Sequence, residues 1–457
     1  TDGVLADVEL DKGKIRKLSL KEDMIEGKVL SVKDDTIEID GYGTLKLDDD
    51  FKVYKTYGVV KEQKKRDVLV GYDLGKFVVA GKKVCAALLN HDFSATNIRV
   101  LIMNDDYSSL FHTKVVLQSD STMHVTWGES EETLSPGTKL SVSPGDDRLK
   151  EGRMTITLED PQKEIRILST KRAQGTPSYF GSFELSEESD GLLLINELDV
   201  EDYLTRVVPS EMPSNYELEA LKAQAIAAHS YALYCRDHAA EPASGWLSVD
   251  PVRRQGYLTD AVLRSYWGTA YEENYARLSA LVDSVLTDVL YYGSAPAGTS
   301  YFAISNGMTE ASENVWGTAL PYLVAVDSST DLNADNYLYT VQFTAEQMQQ
   351  ALAGLGLLPD PAAPASWFGE AALTPSGYVA SLPVCGQSVT GPALRKALGL
   401  RSACFTVQYQ EGSFLLTTKG YGHGVGLSQW GAKALAEQGQ SAEEILAHYF
   451  PGTELRR

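Results

Sequence analysis

Cysteine is scarce in this chain: four residues in 457, Cys85, Cys235, Cys385 and Cys404, with no CxxC pair and no paired metal spacing. So few exclude a disulfide scaffold. The expectation is four free, mostly buried thiols, with a Cys385–Cys404 pair left open if their strands are neighbours. Long apolar runs are missing too. None reaches the roughly 18–20 residues that span a bilayer, so no membrane-crossing helix is expected. Basic charge is also short, with 41 Lys plus Arg against 62 Asp plus Glu and a formal net charge of −21. Such an excess repels phosphate backbones and anionic lipid, which argues against nucleic acid and membrane surfaces as partners. The chain opens Thr-Asp-Gly with neither a methionine nor a signal sequence, and reads as a trimmed start from which an export signal or anchor has been removed.

What is present is ordinary for a globular protein: 43% hydrophobic and 23% charged residues, over a length that predicts two or three domains. Residues 1 to about 190 read as strands. Ile25–Ile39 alternates with period two and breaks at Asp34-Asp35 and Gly41, a hairpin signal. Asn97–Met103, Thr113–Gln118 and Met154–Leu158 continue the pattern, with turns at Pro136-Gly137 and Pro144-Gly145. After Gly191 the character changes. Leu192–Ile195 reads as a short strand, and Asn215 to about His238 as the strongest helix, with Leu218, Leu221, Ala225, Ala228 and Ala232 on one face. Ser214 and Glu217 have the spacing of a capping box at its start. Helix is expected again over about 275–287, strand over about 288–304, and a surface loop at Pro361–Pro364. The predicted architecture is thus an α+β domain over residues 191–457, preceded by a β-rich accessory region of small barrel or sandwich modules at 1–90 and 91–190.

Three segments carry candidate chemistry. In Val207–Pro213, Pro213 biases Met212 away from helical geometry, which predicts Glu211 on a rigid turn just ahead of the long helix. Taken alone, such a glutamate is as readily a partner for the helix dipole, which would lower its pKa. Acid catalysis would then need an apolar wall, with Met212 and Tyr203 the candidates. The second segment, Ser305–Thr309 followed by Ser312–Trp316, is dense in hydroxyl and amide groups and ends in a large aromatic. Neutral donors beside an aromatic platform suit a sugar, whose hydroxyls need hydrogen bonds and whose C–H face stacks on rings. A polar loop packed on Trp316 fits the same residues. The third, Gly420–Gly431, lets backbone pass close to a ligand or a neighbouring strand, and leads into a helix from about Ser428 to Gln438, ended by Gly439. It lacks GxGxxG and GK[ST], and Gly426–Trp430 breaks the GxSxG elbow. His423 within it is either a ligand-facing donor or a packed histidine.

Together these segments resemble the stage II sporulation protein D (SpoIID) and LytB group. The likeness runs through Asn196–Leu198, Tyr203-Leu204, Glu211-Met212-Pro213, Leu218–Ala225, Ser312–Trp316, Pro321–Leu323, Gly420–Gly431 and Glu443–Thr453, in order over nearly all of residues 190–457. Residues 96–190 resemble the family's weaker β-rich leader, and the first 80 or so fall outside it. The resemblance implies an extracytoplasmic lytic transglycosylase that acts, during engulfment in sporulating bacteria, on glycan strands stripped of stem peptides. Its acid glutamate aligns with Glu211. Such an enzyme needs one carboxyl to protonate the glycosidic oxygen while the sugar's own 6-hydroxyl closes on the anomeric carbon, leaving 1,6-anhydro-muramic acid. Glu313 and Asp327 remain formally available as a second carboxylate. Substrate contacts are expected from Tyr203, Gln224, Ser305, Asn306, Trp316, Tyr421, His423, Ser428 and Gln429, with no cofactor.

Two departures stand out. Some members carry a histidine and two cysteines after the long helix, spaced for zinc. Here His238 is followed by no cysteine until Cys385, and Cys235 with His238 supply too few ligands, so no metal is expected. His229 stands where the family usually has arginine, replacing a permanent charge with a titratable group and weakening substrate binding. Two rival readings fit the same residues. One is a non-catalytic glycan-binding module that stimulates a cell-wall amidase. The other is a scaffold whose first half binds another wall or sporulation protein.

Overall fold

The computed structural model describes residues 5–73, 75–91, 97–150, 152–172, 175–238, 247–248 and 255–457. A β-rich region comes first and a region of mixed helix and sheet follows. The chain divides into two compact units, Thr1–Ser210 with Cys235–Tyr275, and Glu211–Tyr234 with Ala276–Arg457.

In the first unit, Val29–Val32 and Thr36–Ile39 pair antiparallel around Asp34-Asp35, the hairpin that the alternation predicts. They belong to a seven-stranded sheet that encloses Val29, Ile37, Ile39, Val53, Phe77 and Val84. An eight-stranded sheet contains Asn97–Leu101, Met123–Trp127, Met154–Leu158, Ser182–Glu188 and Gly191–Asp199. Gly137 and Gly145 both take φ of +81°, as turn glycines do.

The two sheets are joined by buried charge. Arg99, fully buried, donates to both oxygens of Glu184 at 2.7 Å and also pairs with Glu197. Arg153 bridges Glu184 at 2.9 Å to Glu38 at 3.0 Å, and Lys28 reaches Glu197 at 2.5 Å. Burial alone would raise the Glu184 carboxyl. The charge and hydrogen bonds of Arg99 win, with help from Arg153 and Lys28, and hold it at about 2. Removing one partner would leave the others uncompensated, at a cost of about 3–5 kcal/mol.

Helix α1 spans Val200–Glu211 and α2 Leu218–Asp237. Leu221, Ala225, Ala228 and Ala232 are buried as the periodicity requires, but Leu218 is exposed, and Ala223, Ile226, Ala227 and Leu233 are buried as well. The helix is therefore enclosed on nearly all sides rather than amphipathic. Next come α3 (Asp260–Trp267) and α4 (Tyr271–Asp283), the latter starting four residues earlier than expected. The strand predicted over 288–304 is broken into Val289–Tyr292, Ala295–Pro296 and Tyr301–Phe302, because Gly293 turns the chain at φ +62°.

The second unit continues with α5 (Ser312–Trp316), α6 (Ala345–Ala353) and α7 (Gly391–Ala397), and ends with α8 (Gln429–Glu437) and α9 (Ala442–Tyr449). Residues 338–419 form a lobe of two three-stranded sheets with α6 and α7 around Met348, Leu352, Trp367, Leu394, Phe414 and Leu416. The Trp367 and Phe414 rings stack at 5.2 Å. The loop at Pro361–Pro364 lies on the surface, as expected. The four cysteines are free thiols, and Cys85, Cys235 and Cys404 are buried.

Candidate functional site

Glu211 is not on a turn leading into α2. It is the last residue of α1, half-buried, between buried Val208 and Met212. Pro213 ends that helix by forcing Met212 out of helical geometry. The proline bias closes the preceding helix rather than opening the next. The carboxyl therefore stands at the negative end of a helix dipole, not the positive end assumed from the sequence. The capping box is corrected with it. α2 starts at Leu218, Leu221 N–H donates to Glu217 O at 3.1 Å, and Ser214 lies in the preceding loop. Arg277 fixes that loop by donating to the carbonyls of Ser214 (2.5 Å) and Tyr216 (3.2 Å). Tyr203 offers no wall to a ligand. Its ring is 1% exposed and its hydroxyl donates to Gln255.

The two polar segments seen in the sequence lie side by side in the second unit. Tyr301–Phe302 pairs in parallel with Leu427–Ser428, Ile304 and Tyr421 exchange backbone bonds at 2.9 and 2.7 Å, and Glu310 N–H donates to Gly424 O at 2.6 Å. Close approach explains the glycines. A Cβ on Gly420 would stand 2.5 Å from Ile304 O, and one on Gly422 2.6 Å from Phe302 Cβ. The helix predicted after them is α8, capped by Ser428 Oγ accepting from Gly431 N–H at 3.2 Å, with Gly439 at φ +87° just past its end.

The sequence does not reveal that a buried carboxylate holds these segments together. Asp331 Oδ2 accepts from Ser305 N–H at 2.6 Å and Ser428 Oγ at 2.7 Å, and burial raises its pKa. Ser305 and Ser428 are fully buried, so both serve the scaffold rather than a ligand, which corrects their expected role. Asn306 is likewise engaged. Its Nδ2 donates to Ser376 O at 2.8 Å, and its Oδ1 accepts from Met308 N–H at 3.0 Å. Gln429 donates to Gln224 Oε1 at 3.3 Å, which ties the glycine-rich segment to α2.

The groups left facing outward are aromatic. Trp316 and Tyr421 are each 48% exposed. The His423 ring lies 5.2 Å from Trp316 and 5.6 Å from Phe302. Its Nδ1 accepts from Val425 N–H at 3.1 Å. Burial first, and the Arg395 charge second, push His423 down to about 4, so it is neutral at pH 7. It is thus a packed imidazole that forms part of an aromatic floor. Behind it lies a second carboxylate missed in the sequence. Buried Glu310 accepts from Thr374 Oγ1 (2.6 Å), Asn314 Nδ2 (2.8 Å), Ala311 N–H (2.8 Å) and Ser376 Oγ (3.2 Å).

Residues 188–292 match the family described as stage II sporulation protein. The stage II sporulation protein D of Bacillus amyloliquefaciens is 38% identical over 264 residues, 57% of this chain and 75% of that protein. The chain belongs to the stage II sporulation protein D family. The Bacillus subtilis (strain 168) member is 36% identical over 263 residues, again 57% of this chain and 75% of that protein. An amidase enhancer of the same organism is 27% identical over 310 residues, 55% of this chain and 40% of that protein.

Against that family background, His229 lies buried within α2, where a permanent charge would be costly to desolvate. Cys235 and His238 stand at the end of α2, and residues 239–246, where the family's further zinc ligands would follow, lie outside the described residues. Among the described residues no group of three or more His, Cys, Asp or Glu is placed to hold a metal.

Proposed function

We propose that this chain remodels cell-wall peptidoglycan as an extracytoplasmic lytic transglycosylase of sporulating cells, with Glu211 as the acid. One observation carries the reading. A half-buried carboxyl at the end of α1 leads into a helix whose Gln224 is bonded to the glycine-rich segment, and that segment sets His423 beside Trp316 in an aromatic cluster of the kind a sugar ring can stack on. Trp316 and Tyr421 present ring faces, whereas Gln224 and Gln429, both buried and bonded to each other, brace the segment rather than face a ligand, which corrects their expected role. Among the described residues, the candidate carboxylates for a second group are placed elsewhere. Glu313 and Asp327 are exposed on the surface, with Asp327 bonded to Ser329 at 3.0 Å. Glu310 and Asp331 are buried and engaged within the scaffold. Glu211 would protonate the glycosidic oxygen as its bond to the anomeric carbon breaks, the 6-hydroxyl of the same muramoyl ring would close on that carbon, and the hydroxyl proton would pass to the Glu211 carboxylate, restoring the acid.

Mass spectrometry of products from peptide-free and peptide-bearing strands tests this. A 1,6-anhydro end is one water lighter than a reducing end. Reducing ends carrying oxygen from labelled water would refute the transglycosylase. The likeness to an amidase enhancer favours one other reading, a glycan-binding stimulator of a wall amidase. No strand cleavage together with stimulation of an added amidase would establish that instead.

A further inference from the structure

In the second unit one guanidinium has no counter-ion among the described residues. Arg395, on α7, is partly buried, and its Nε donates to Arg401 O at 3.2 Å. Among the described residues it makes no ion pair. Burial works against its charge. It lines a small cavity with His423, Asn314 and Glu310. Glu310 is no partner for it, because its oxygens are taken by four donors from Ala311, Asn314, Thr374 and Ser376. His423, on the cavity wall, carries Trp316 at 5.2 Å on the aromatic floor. In a chain of net charge −21, an unpaired cation in a cavity beside a sugar platform is costly unless a ligand anion completes it.

We propose that Arg395 binds a carboxylate carried by the sugar that stacks on Trp316 and His423. A neutral N-acetylhexosamine strand has no use for such a cation. A muramoyl residue carries a lactyl carboxylate when no peptide is attached, and an amide when one is. A guanidinium can hold both oxygens of the acid in a bidentate pair, which an amide cannot reproduce. Arg395 thereby distinguishes a free lactyl acid from an amidated one. This inference rests on the glycan reading above and not on the lytic step. The C-terminal carboxylate of a short stem peptide is the other source of the same chemistry.

Equilibrium binding to the full chain at pH 7 decides, with four oligosaccharides of equal length: a neutral chitin oligomer, a muramoyl oligomer with a free lactyl acid, the same with a lactyl carboxamide, and one bearing a dipeptide. The free acid is expected to bind about tenfold tighter than the carboxamide. The dipeptide form should bind no better than the carboxamide. Arg395→Gln should bring the acid down to the carboxamide while leaving the chitin oligomer unchanged, which also shows that the variant is folded. Arg395→Lys should keep part of the preference. Equal binding of acid and carboxamide by the wild type, a preference that survives in Arg395→Gln, or tightest binding of the dipeptide form would each overturn the proposal. Failure to bind any of the four overturns it together with the glycan reading. An acid preference lost in Arg395→Gln, in a protein that cleaves no strand, would leave this site standing and refute only the transglycosylase.

Discussion

His423 should titrate far below an ordinary histidine. An exposed imidazole takes its proton near 6.5, whereas burial and the neighbouring Arg395 push this one to about 4, against a hydrogen bond with the Tyr301 backbone. The sign follows from linkage. The unfolded chain binds the proton near 6.5 and the folded chain only near 4. The stabilising effect of keeping the ring neutral is thus fully present above 6.5, is lost progressively as pH falls from 6.5 to 4, and is absent below 4. At roughly 1.4 kcal/mol per pH unit, the loss across that window comes to about 3 kcal/mol. The assay has two parts. Heteronuclear NMR of the imidazole carbon from pH 7.5 to 3.5 gives the midpoint directly. Urea unfolding of wild type and His423→Gln across the same range gives the energy, since the variant lacks this slope and its disadvantage should shrink by about 3 kcal/mol on acidification. Arg395→Gln should raise the His423 midpoint, because a repelling charge is gone. A midpoint near 6.5, with parallel stability curves for both proteins, would refute the reasoning and make His423 a solvent-facing donor.

Three further outcomes follow from the same geometry. Glu211→Gln should lower strand cleavage by at least about 10²-fold while glycan affinity and melting temperature stay near wild type, and an undiminished rate would reduce Glu211 to a structural role. Gly431→Ala, which inside most helices stabilises by about 0.5–1 kcal/mol, should here destabilise by about 1–3 kcal/mol. The new Cβ would overlap the Tyr449 hydroxyl and stand 2.7 Å from Ser328 Oγ, and adding Tyr449→Phe should recover part of the loss in urea midpoints. The purified protein should carry no stoichiometric zinc, since Cys235 and His238 alone supply too few ligands. Elemental analysis after mild dialysis checks it, and one tightly held zinc per chain would mean that distant residues have been recruited.

Local signals in the sequence were sufficient where the physics is local. The hairpin of Val29–Val32 with Thr36–Ile39 follows from period-two alternation and an Asp-Asp turn. The start of α8 at a Ser428 cap and its stop before Gly439 follow from one side chain and one positive φ. Family membership was legible for a similar reason, since EMP, LKAQA and GHGVG with SQWGA are contiguous words. Glu211 shows where local reading fails. α1 holds three valines and an internal Pro209, both poor local signals for a helix, so the turn at Pro213 reads as the start of the next helix rather than the end of this one. The polar loops fail differently. Ser305 and Ser428 have the right chemistry for a sugar, but Asp331, 26 and 97 residues away along the chain, claims them both. Glu310 is satisfied by Thr374 and Ser376, more than 60 residues on. Composition and periodicity tell which side chains can bind a ligand. Whether a donor is already taken, or a cation such as Arg395 left without an ion pair among the described residues, depends on which distant segments pack together, and only the tertiary structure decides that.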